Sequence, residues 1–131
     1  RLAAYTGEEA YDTAGRAVLR ALTDAMAQYP SAFAESLNAT DMLVNGLAEV
    51  AIVANPTDAE TKVMLDTLHR PYRPNVITAL VRDNQDEHAL IPLLSYRVQR
   101  EDKPTVYVCR NFVCQMPVTS ADDMRELLSN S

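Results

Sequence analysis

The sequence contains few of the residues on which several functional classes depend. Only three glycines and two cysteines occur among 131 residues, and tryptophan is absent. Two cysteines cannot build the framework of a small disulfide-rich secreted domain, so a reducing cytoplasm is the expected compartment. None of the glycines, Gly7, Gly15 and Gly46, falls between a predicted strand and a following helix. This placement argues against a glycine-rich phosphate loop or a dinucleotide fingerprint.

Basic residues are also in the minority, and long apolar runs are missing. The chain has 12 Lys and Arg residues against 18 Asp and Glu residues, which gives a net charge of −6. Because nucleic-acid binding depends mainly on cations that neutralise phosphates, we expect no nucleic-acid partner. No apolar stretch approaches the ~20 residues that span a bilayer, and no signal-peptide pattern opens the chain. We therefore expect no membrane partner.

Core-forming residues are present in an ordinary proportion. Hydrophobic side chains make up 47% of the chain and charged side chains 23%, as in typical globular proteins. A chain of this length buries roughly two thirds of the surface of its unfolded state. This is enough for one domain, or for one domain and part of another.

The first third of the chain has helical periodicity. Thr6, followed three positions later by Glu9, matches a capping box, and apolar residues then recur every three or four positions. Pro30 is well placed in the first turn of a second helix, which Asn45 and Gly46 are expected to end with a left-handed C-cap. The pattern predicts an antiparallel helical hairpin.

The periodicity changes after Gly46. Residues 49–54 and 75–81 are short and almost uniformly apolar, as in strands that are buried on both faces. Between them, a second capping box at Thr57 and Glu60 opens a helix with an apolar stripe. Strand, helix and strand at this spacing predict a βαβ unit with parallel strands.

Three weaker strand patterns and a helix follow. Residues 95–100 alternate weakly and could form an edge strand, residues 105–110 and 113–118 are predicted strands, and Thr119 is predicted to cap a last helix. The predicted fold class is α/β, with a mixed sheet around a parallel βαβ unit, flanking helices and a preceding N-terminal helical hairpin. Two domains are expected: residues 1–46, a helical hairpin, and residues 47–131, an α/β domain.

The turn after the first predicted strand has two interpretations. Residues 55–58 (Asn-Pro-Thr-Asp) could hold an anion on backbone N–H groups at a helix N-terminus, or form an ordinary capped turn. A small-molecule site near Asn55 and Arg82, at the carboxyl ends of the parallel strands, is a further hypothesis. We predict no cofactor, because the turn lacks a phosphate-binding Lys and dinucleotide glycines.

The other titratable candidates are better explained by structure than by catalysis. His69 follows a helical stripe, where a histidine interacts with the helix dipole, and His88 falls in a polar loop. Asp122 and Asp123 fall in the first turn of the last helix, where negative charge is stabilising. No catalytic residue is predicted.

Cys109 and Cys114 are the residues that could carry chemistry. If Asn111-Phe112 forms a two-residue hairpin loop, Cys109 lies opposite Cys114 in a non-hydrogen-bonded pair with Cα atoms about 4.5 Å apart. This spacing is at the short end of the range for a disulfide. Asn is well placed in such a loop, whereas Phe is poor where a positive φ is wanted.

Three interpretations of the cysteine pair stay open. The two residues could be small buried hydrophobes in a core strand. They could form a redox-active or oxidisable pair. They could also bind a metal, with His69 and His88 as the remaining ligands for a zinc site that usually has four. The first interpretation is the default.

The cysteines also lie in a recognisable motif. Residues 107–114 (Tyr-Val-Cys-Arg-Asn-Phe-Val-Cys), followed by Pro117-Val118-Thr119, resemble the C-terminal end of the YyaL-like, spermatogenesis-associated proteins that contain a thioredoxin domain. The order of Pro30, residues 49–54 and Pro92-Leu93-Leu94 is similar as well, so the resemblance covers most of the chain. In that family, a thioredoxin-like domain and an (α/α) toroid of the six-hairpin glycosidase or epimerase type precede this α/β portion.

The resemblance implies a function as part of a larger protein. Residues 1–46 would be the last hairpin of the toroid, and the partners would be the N-terminal domains of the parent protein. Only Cys109 and Cys114 match a family motif here, so no catalytic residue is carried over. Where the family often has glycine, this chain has Asn55 and Lys103.

We therefore expect a non-catalytic C-terminal α/β module of a larger thioredoxin-domain-containing protein. Two alternatives are an accessory redox element that uses Cys109 and Cys114, and a carbohydrate-related enzyme in the full-length parent. The separated hairpin, with Leu2 and Tyr5 in its apolar stripe, is expected to expose a patch that promotes self-association.

Overall fold

A helical region leads into a mixed β-sheet in the computed structural model, which describes residues 1–82, 91–110 and 113–129. The predicted α/β class is confirmed, with one parallel strand pair and flanking helices. In chain order, the helices are α1 (Leu2–Thr6), α2 (Glu9–Ala21), α3 (Thr23–Gln28), α4 (Ala34–Asn45), α5 (Ala59–His69) and α6 (Ala121–Ser129). The strands are β1 (Ala48–Val53), β2 (Val76–Val81), β3 (Thr105–Arg110) and β4 (Val113–Cys114), and 3₁₀ turns include Pro30–Phe33 and Pro92–Leu94.

The sheet is built around β1. The strand order is β2–β1–β3–β4, so β1 has a hydrogen-bonded neighbour on each side. It runs parallel to β2, with Val50 opposite Thr78, and antiparallel to β3, with Val50 opposite Val108. The parallel pair, joined through α5, confirms the predicted βαβ unit.

The first core face lies between the sheet and helices α5 and α6. Successive side chains of a strand point to opposite faces, so Val50 and Ile52 share this one. They pack with Met64 of α5 and Met124 of α6, and none of the four is more than 1% exposed. The apolar stripe that the sequence predicts for the helix between the two parallel strands, α5, lies on this face.

The second core face lies under the 3₁₀ turn Pro92–Leu94 and α1. The two leucines of the turn pack with Ala51 and Val53, which are fully buried. Tyr5 of α1 is half-buried against the same face, and its hydroxyl donates a hydrogen bond of 3.0 Å to the Thr78 carbonyl. The expectation that Tyr5 lies in an exposed stripe is therefore wrong, because the sheet covers it.

The helical region ends where predicted, but two of its caps differ from the prediction. α4 ends at Asn45, and Gly46 has φ 85° and ψ 172°, a conformation nearly restricted to glycine and outside the left-handed helical region. Thr6 ends α1 and caps no helix N-terminus, because Gly7 turns the chain with a φ of 72° before α2 begins at Glu9. Within the described residues, no helix is long and apolar enough to cross a bilayer.

The turn between β1 and α5 also forms differently from the predicted capping box. The Asn55 side-chain oxygen accepts hydrogen bonds from the N–H and the hydroxyl of Thr57. Asp58 takes the N-cap position, and it makes no side-chain cap hydrogen bond. The predicted Thr57–Glu60 capping box is therefore wrong, because the Thr57 hydroxyl is hydrogen-bonded to Asn55.

The segments near the end of the chain are shorter than predicted. Residues 95–100 form no strand, and β4 has only two residues. At the start of α6, the Ser120 hydroxyl oxygen accepts a hydrogen bond of 3.1 Å from the Asp123 N–H. Ser120 therefore caps this helix in place of the predicted Thr119.

Replacement of Met124 by alanine tests the first core face. Met124→Ala is expected to lower the free energy of unfolding by about 2–5 kcal/mol, because it removes a fully buried side chain and leaves a cavity. Met116 is 79% exposed, so Met116→Ala is a matched control with an expected change below about 0.5 kcal/mol. Urea denaturation followed by circular dichroism measures both values. Equal losses would contradict the packing of α6 on the sheet.

Candidate functional site

The site is a disulfide that joins β3 to β4. Cys109 lies directly opposite Cys114 in the antiparallel register, and their sulfur atoms are bonded, with Cα atoms 3.9 Å apart. The neighbouring pair, Val108 and Gln115, is hydrogen-bonded, since the Gln115 N–H donates to the Val108 carbonyl at 2.9 Å. Because the two kinds of pair alternate along an antiparallel ladder, Cys109 and Cys114 form a non-hydrogen-bonded pair. The predicted register is confirmed, whereas the loop residues Asn111-Phe112 lie outside the described residues.

The two cysteines differ sharply in exposure. Cys109 is 1% exposed, because β3 lies between β1 and β4. Cys114 is exposed, since β4 comes last in the strand order and is only two residues long. The interpretation of two buried hydrophobes is thus right for Cys109 and wrong for Cys114.

The Arg97 guanidinium contacts both sulfur atoms. Its Nη2 lies 3.1 Å from Cys109 Sγ and 3.4 Å from Cys114 Sγ, close enough to donate a hydrogen bond to either. The preceding 3₁₀ turn Pro92–Leu94 buries its leucines in the second core face. The chain that leaves this anchored turn passes over β3 and brings Arg97 to the disulfide.

Arg97 is held in place from two sides. Its Nε donates to the Leu93 carbonyl, and its guanidinium carbon lies 4.9 Å from the centre of the Tyr107 ring. A cation above an aromatic face is attracted by the ring quadrupole. The Tyr107 hydroxyl in turn donates to the Val98 carbonyl at 2.8 Å, which ties the residue after Arg97 to β3. The guanidinium is thereby positioned before any reaction.

A carboxyl group shares this environment. Glu49 of β1 is directly opposite Cys109 in the β1–β3 register. Burial raises the pKa of Glu49, and the positive charge of Arg97 opposes that rise. Burial also lowers the pKa of Arg97, against the charges of Tyr107 and Glu49, which raise it. An acid and a base thus interact beside the buried sulfur.

This arrangement favours a negative charge on sulfur. A disulfide sulfur is a weak acceptor, whereas a thiolate accepts a strong, charge-assisted hydrogen bond from a guanidinium. Arg97 therefore interacts more strongly with the reduced, ionised cysteine than with the disulfide. A neighbouring cation of this kind lowers the pKa of a thiol.

The other predicted polar sites are engaged in structure. The Asn55 amide donates to Asp58 Oδ1 at 3.1 Å, so the turn is an ordinary one with its own internal hydrogen bonds. Val53 lies opposite Val81, which puts Asn55 and Arg82 near the same edge of the sheet, both exposed. No described contact joins these two side chains to each other.

The remaining titratable candidates also lie away from the disulfide or outside the described residues. His69 is the last residue of α5, as predicted, and His88 lies outside the described residues. Asp122 pairs with Arg125 at 2.7 Å, and Asp123 accepts a hydrogen bond from Ser120. In the described part of the chain, no group of three or more His, Cys, Asp or Glu side chains could hold a metal ion.

Arg97 and Glu49 are functional candidates that sequence reasoning missed. Arg97 is 12 positions from Cys109 and lies in a segment that alternates only weakly, so no local pattern links it to the disulfide. Glu49 carried a usable signal, since it is the one charged residue in an otherwise apolar run at 49–54. A charge in a strand that is buried on both faces requires a partner.

The raised pKa of Glu49 predicts a pH-dependent stability. Since the pKa in the folded state lies above the ordinary value of 4.5, protonated Glu49 adds stability that is lost as pH rises through the raised pKa. The free energy of unfolding of the wild type, relative to Glu49→Gln, should therefore fall between pH 4.5 and neutrality. Urea denaturation across this range measures the difference, and the exposed Glu126→Gln is the control. A difference that rises with pH would contradict the burial of Glu49.

Comparisons with known proteins give one group of relatives. Spermatogenesis-associated protein 20 of Rattus norvegicus is 29% identical over 130 residues, and the proteins of that name from Mus musculus and Homo sapiens are each 28% identical over 130 residues. Each match covers 98% of this chain, but the chain spans only 16% of the length of these relatives. No family model matches the chain, and no solved structure matches it significantly. The chain is thus related to a segment of spermatogenesis-associated protein 20, and this indicates a domain of a larger protein.

Proposed function

We propose that this chain is an accessory thiol–disulfide module of a larger protein, in which the Cys109–Cys114 disulfide is reduced and re-formed by a dithiol partner. The observation that carries the proposal is the Arg97 guanidinium, which lies within hydrogen-bond distance of both sulfur atoms. The exposure of Cys114 supports it, because exchange requires a sulfur that another thiol can reach.

The guanidinium acts on the equilibrium between disulfide and dithiol. A group that stabilises the reduced, ionised form makes a disulfide easier to reduce. Structural disulfides of secreted proteins resist the glutathione pool, with reduction potentials below about −300 mV. By stabilising the thiolate, Arg97 raises the reduction potential of the Cys109–Cys114 disulfide and makes the bond easier to reduce. In a reducing cytoplasm, the compartment that we propose from the low cysteine content, a disulfide is usually transient and serves catalysis or redox sensing.

The partner that we propose is the thioredoxin-like domain of the parent protein. The chain is related to 16% of a longer protein, which leaves room for other domains. A dithiol domain in the same polypeptide would meet the disulfide at high effective concentration. The six-hairpin toroid, which the family resemblance also implies, gains no support from the contacts around Cys109.

Redox equilibration tests the proposal. The chain is incubated in buffers of graded dithiothreitol ratio, and free thiols are alkylated and counted by mass spectrometry. Arg97→Gln is expected to lower the equilibrium constant for reduction at least about tenfold, because a hydrogen bond to a charged sulfur contributes roughly 1.5–3 kcal/mol. The wild type should reach its midpoint above about −300 mV.

Arg100→Gln is the matched control for this measurement. Arg100 is exposed and three positions from Arg97, and no described contact joins its side chain to either sulfur. Its midpoint should equal that of the wild type. A wild-type midpoint below about −300 mV, or the same midpoint for Arg97→Gln and Arg100→Gln, would refute the redox role.

A second candidate function is a non-catalytic module that packs against the other domains of the parent. The observation that favours it is a set of exposed apolar side chains on the N-terminal helices. Val18 of α2 is 57% exposed, Val44 of α4 is 76% exposed and Leu2 of α1 is 60% exposed. Neighbouring helices of a toroid would cover such residues.

Self-association of the chain tests this second function. Sizing chromatography over a concentration series is expected to show association for the wild type, because isolated apolar surfaces tend to pair. Val18→Ser combined with Val44→Ser should reduce it. Val63→Ser is the matched control, since Val63 is 56% exposed on α5, outside the N-terminal helices. A wild type that stays monomeric at every concentration would count against the packing role.

A further inference from the structure

We infer that an attacking thiol bonds to Cys114, and that Cys109 leaves as a thiolate that Arg97 stabilises. The inference rests on the proposed function, because it assigns the two chemical roles within the same disulfide. Three observations support it: the exposure of the two sulfurs, the direction from which each can be approached, and the position of the guanidinium.

Exposure favours attack at Cys114. Cys109 is 1% exposed, and the residue opposite it on β1 is part of the packed sheet. Cys114 is exposed, and its neighbour Val113 is 72% exposed. Because thiol–disulfide exchange depends on access to the attacked sulfur, the rates at the two sulfurs should differ strongly.

The direction of approach favours the same sulfur. In a displacement at sulfur, the nucleophile approaches from the side opposite the leaving sulfur. For Cys114, that side lies beyond β4, the last strand in the order β2–β1–β3–β4. For Cys109, it lies toward β1, where Glu49 is directly opposite. A thiolate on that path would have to separate paired strands and meet a carboxyl group.

The guanidinium lies closer to the predicted leaving group. Arg97 Nη2 is 3.1 Å from Cys109 Sγ and 3.4 Å from Cys114 Sγ. Charge on the buried sulfur is poorly solvated, so a cation there stabilises it more than it would a sulfur in water. A leaving thiol with a lower pKa departs faster. Arg97 therefore promotes departure of Cys109 and offsets the unfavourable charge of Glu49.

The exchange balances with a dithiol as the reductant. Its thiolate attacks Cys114 Sγ and forms a mixed disulfide, the Cys109–Cys114 bond breaks, and the electron pair stays on Cys109 Sγ beside Arg97. The second thiolate of the partner then attacks the partner's own sulfur in the mixed disulfide and releases Cys114 as a thiolate, which takes a proton from water. The partner is oxidised to a disulfide and this chain is reduced to two cysteines.

Trapping the first intermediate tests the assignment. The oxidised wild-type chain is mixed with 2-mercaptoethanol, a small thiol with no charge other than that of its attacking thiolate, and is quenched at early times with an excess of N-ethylmaleimide. Peptide mapping should find mercaptoethanol on Cys114 and maleimide on Cys109, in at least about tenfold excess over the reverse pattern. Equal labelling, or mercaptoethanol mainly on Cys109, would overturn the inference.

Variants of Arg97 test the role of the guanidinium. Arg97→Gln should slow opening by 2-mercaptoethanol about tenfold, the effect of one charge-assisted hydrogen bond, while Arg97→Lys keeps part of the rate and Arg100→Gln keeps all of it. In a Cys114→Ser background, adding Arg97→Gln should raise the pKa of the Cys109 thiol, followed by thiolate absorbance near 240 nm. An unchanged rate together with an unchanged thiol pKa would remove Arg97 from the mechanism.

Failure of the sulfur assignment can be distinguished from failure of the proposed redox function. The attacked sulfur is identified at any thiol concentration that opens the disulfide, whatever the equilibrium position. The midpoint of the redox titration decides whether the disulfide is reversible in a reducing compartment. A low midpoint with attack at Cys114 would refute the redox function alone, and a high midpoint with attack at Cys109 would refute the assignment of the two sulfurs alone.

Discussion

The fold depends on a single strand that is buried from every side. Val50, Ala51, Ile52 and Val53 of β1 are fully buried, with β2 and β3 hydrogen-bonded on its two edges and core packing on its two faces. A shift of one residue in register would exchange the two faces, so each set of side chains would meet packing that is shaped for the other set. Because β1 cannot shift, the register fixes which residue of β3 lies beside each residue of β1.

The site follows from that register and from the second core face. Cys109 is opposite Glu49 because β3 pairs antiparallel with β1, and it is buried for the same reason. The leucines of the turn Pro92–Leu94 pack on the face that holds Ala51 and Val53, and the chain that leaves this turn carries Arg97 to the disulfide. The reactive group and its cation are thus positioned by apolar packing, which is rigid and independent of any ligand.

Sequence patterns predicted the parts of this structure that are set locally. The apolar run at 49–54, the βαβ spacing and the cysteine register of a two-residue hairpin each depend on a few consecutive residues. The three threonine N-cap predictions failed for local reasons: Gly7 turns the chain after Thr6, Asn55 is hydrogen-bonded to Thr57, and Ser120 caps α6 in place of Thr119. Arg97 could not be predicted, because the weak alternation of residues 95–100 does not indicate a contact with Cys109.

We expect the sheet that surrounds the disulfide to stay in place when the bond is reduced. Closing a loop as short as that between Cys109 and Cys114 stabilises a fold by only about 2 kcal/mol in the chain-entropy estimate. β3 has six pairings with β1, which do not involve the disulfide, whereas β4 has only two residues to pair. We therefore expect any change in structure to be confined to the end of one hairpin, beside a guanidinium that Tyr107 and Leu93 already hold in place. A disulfide that supports so few of the core contacts is consistent with the proposed thiol–disulfide exchange.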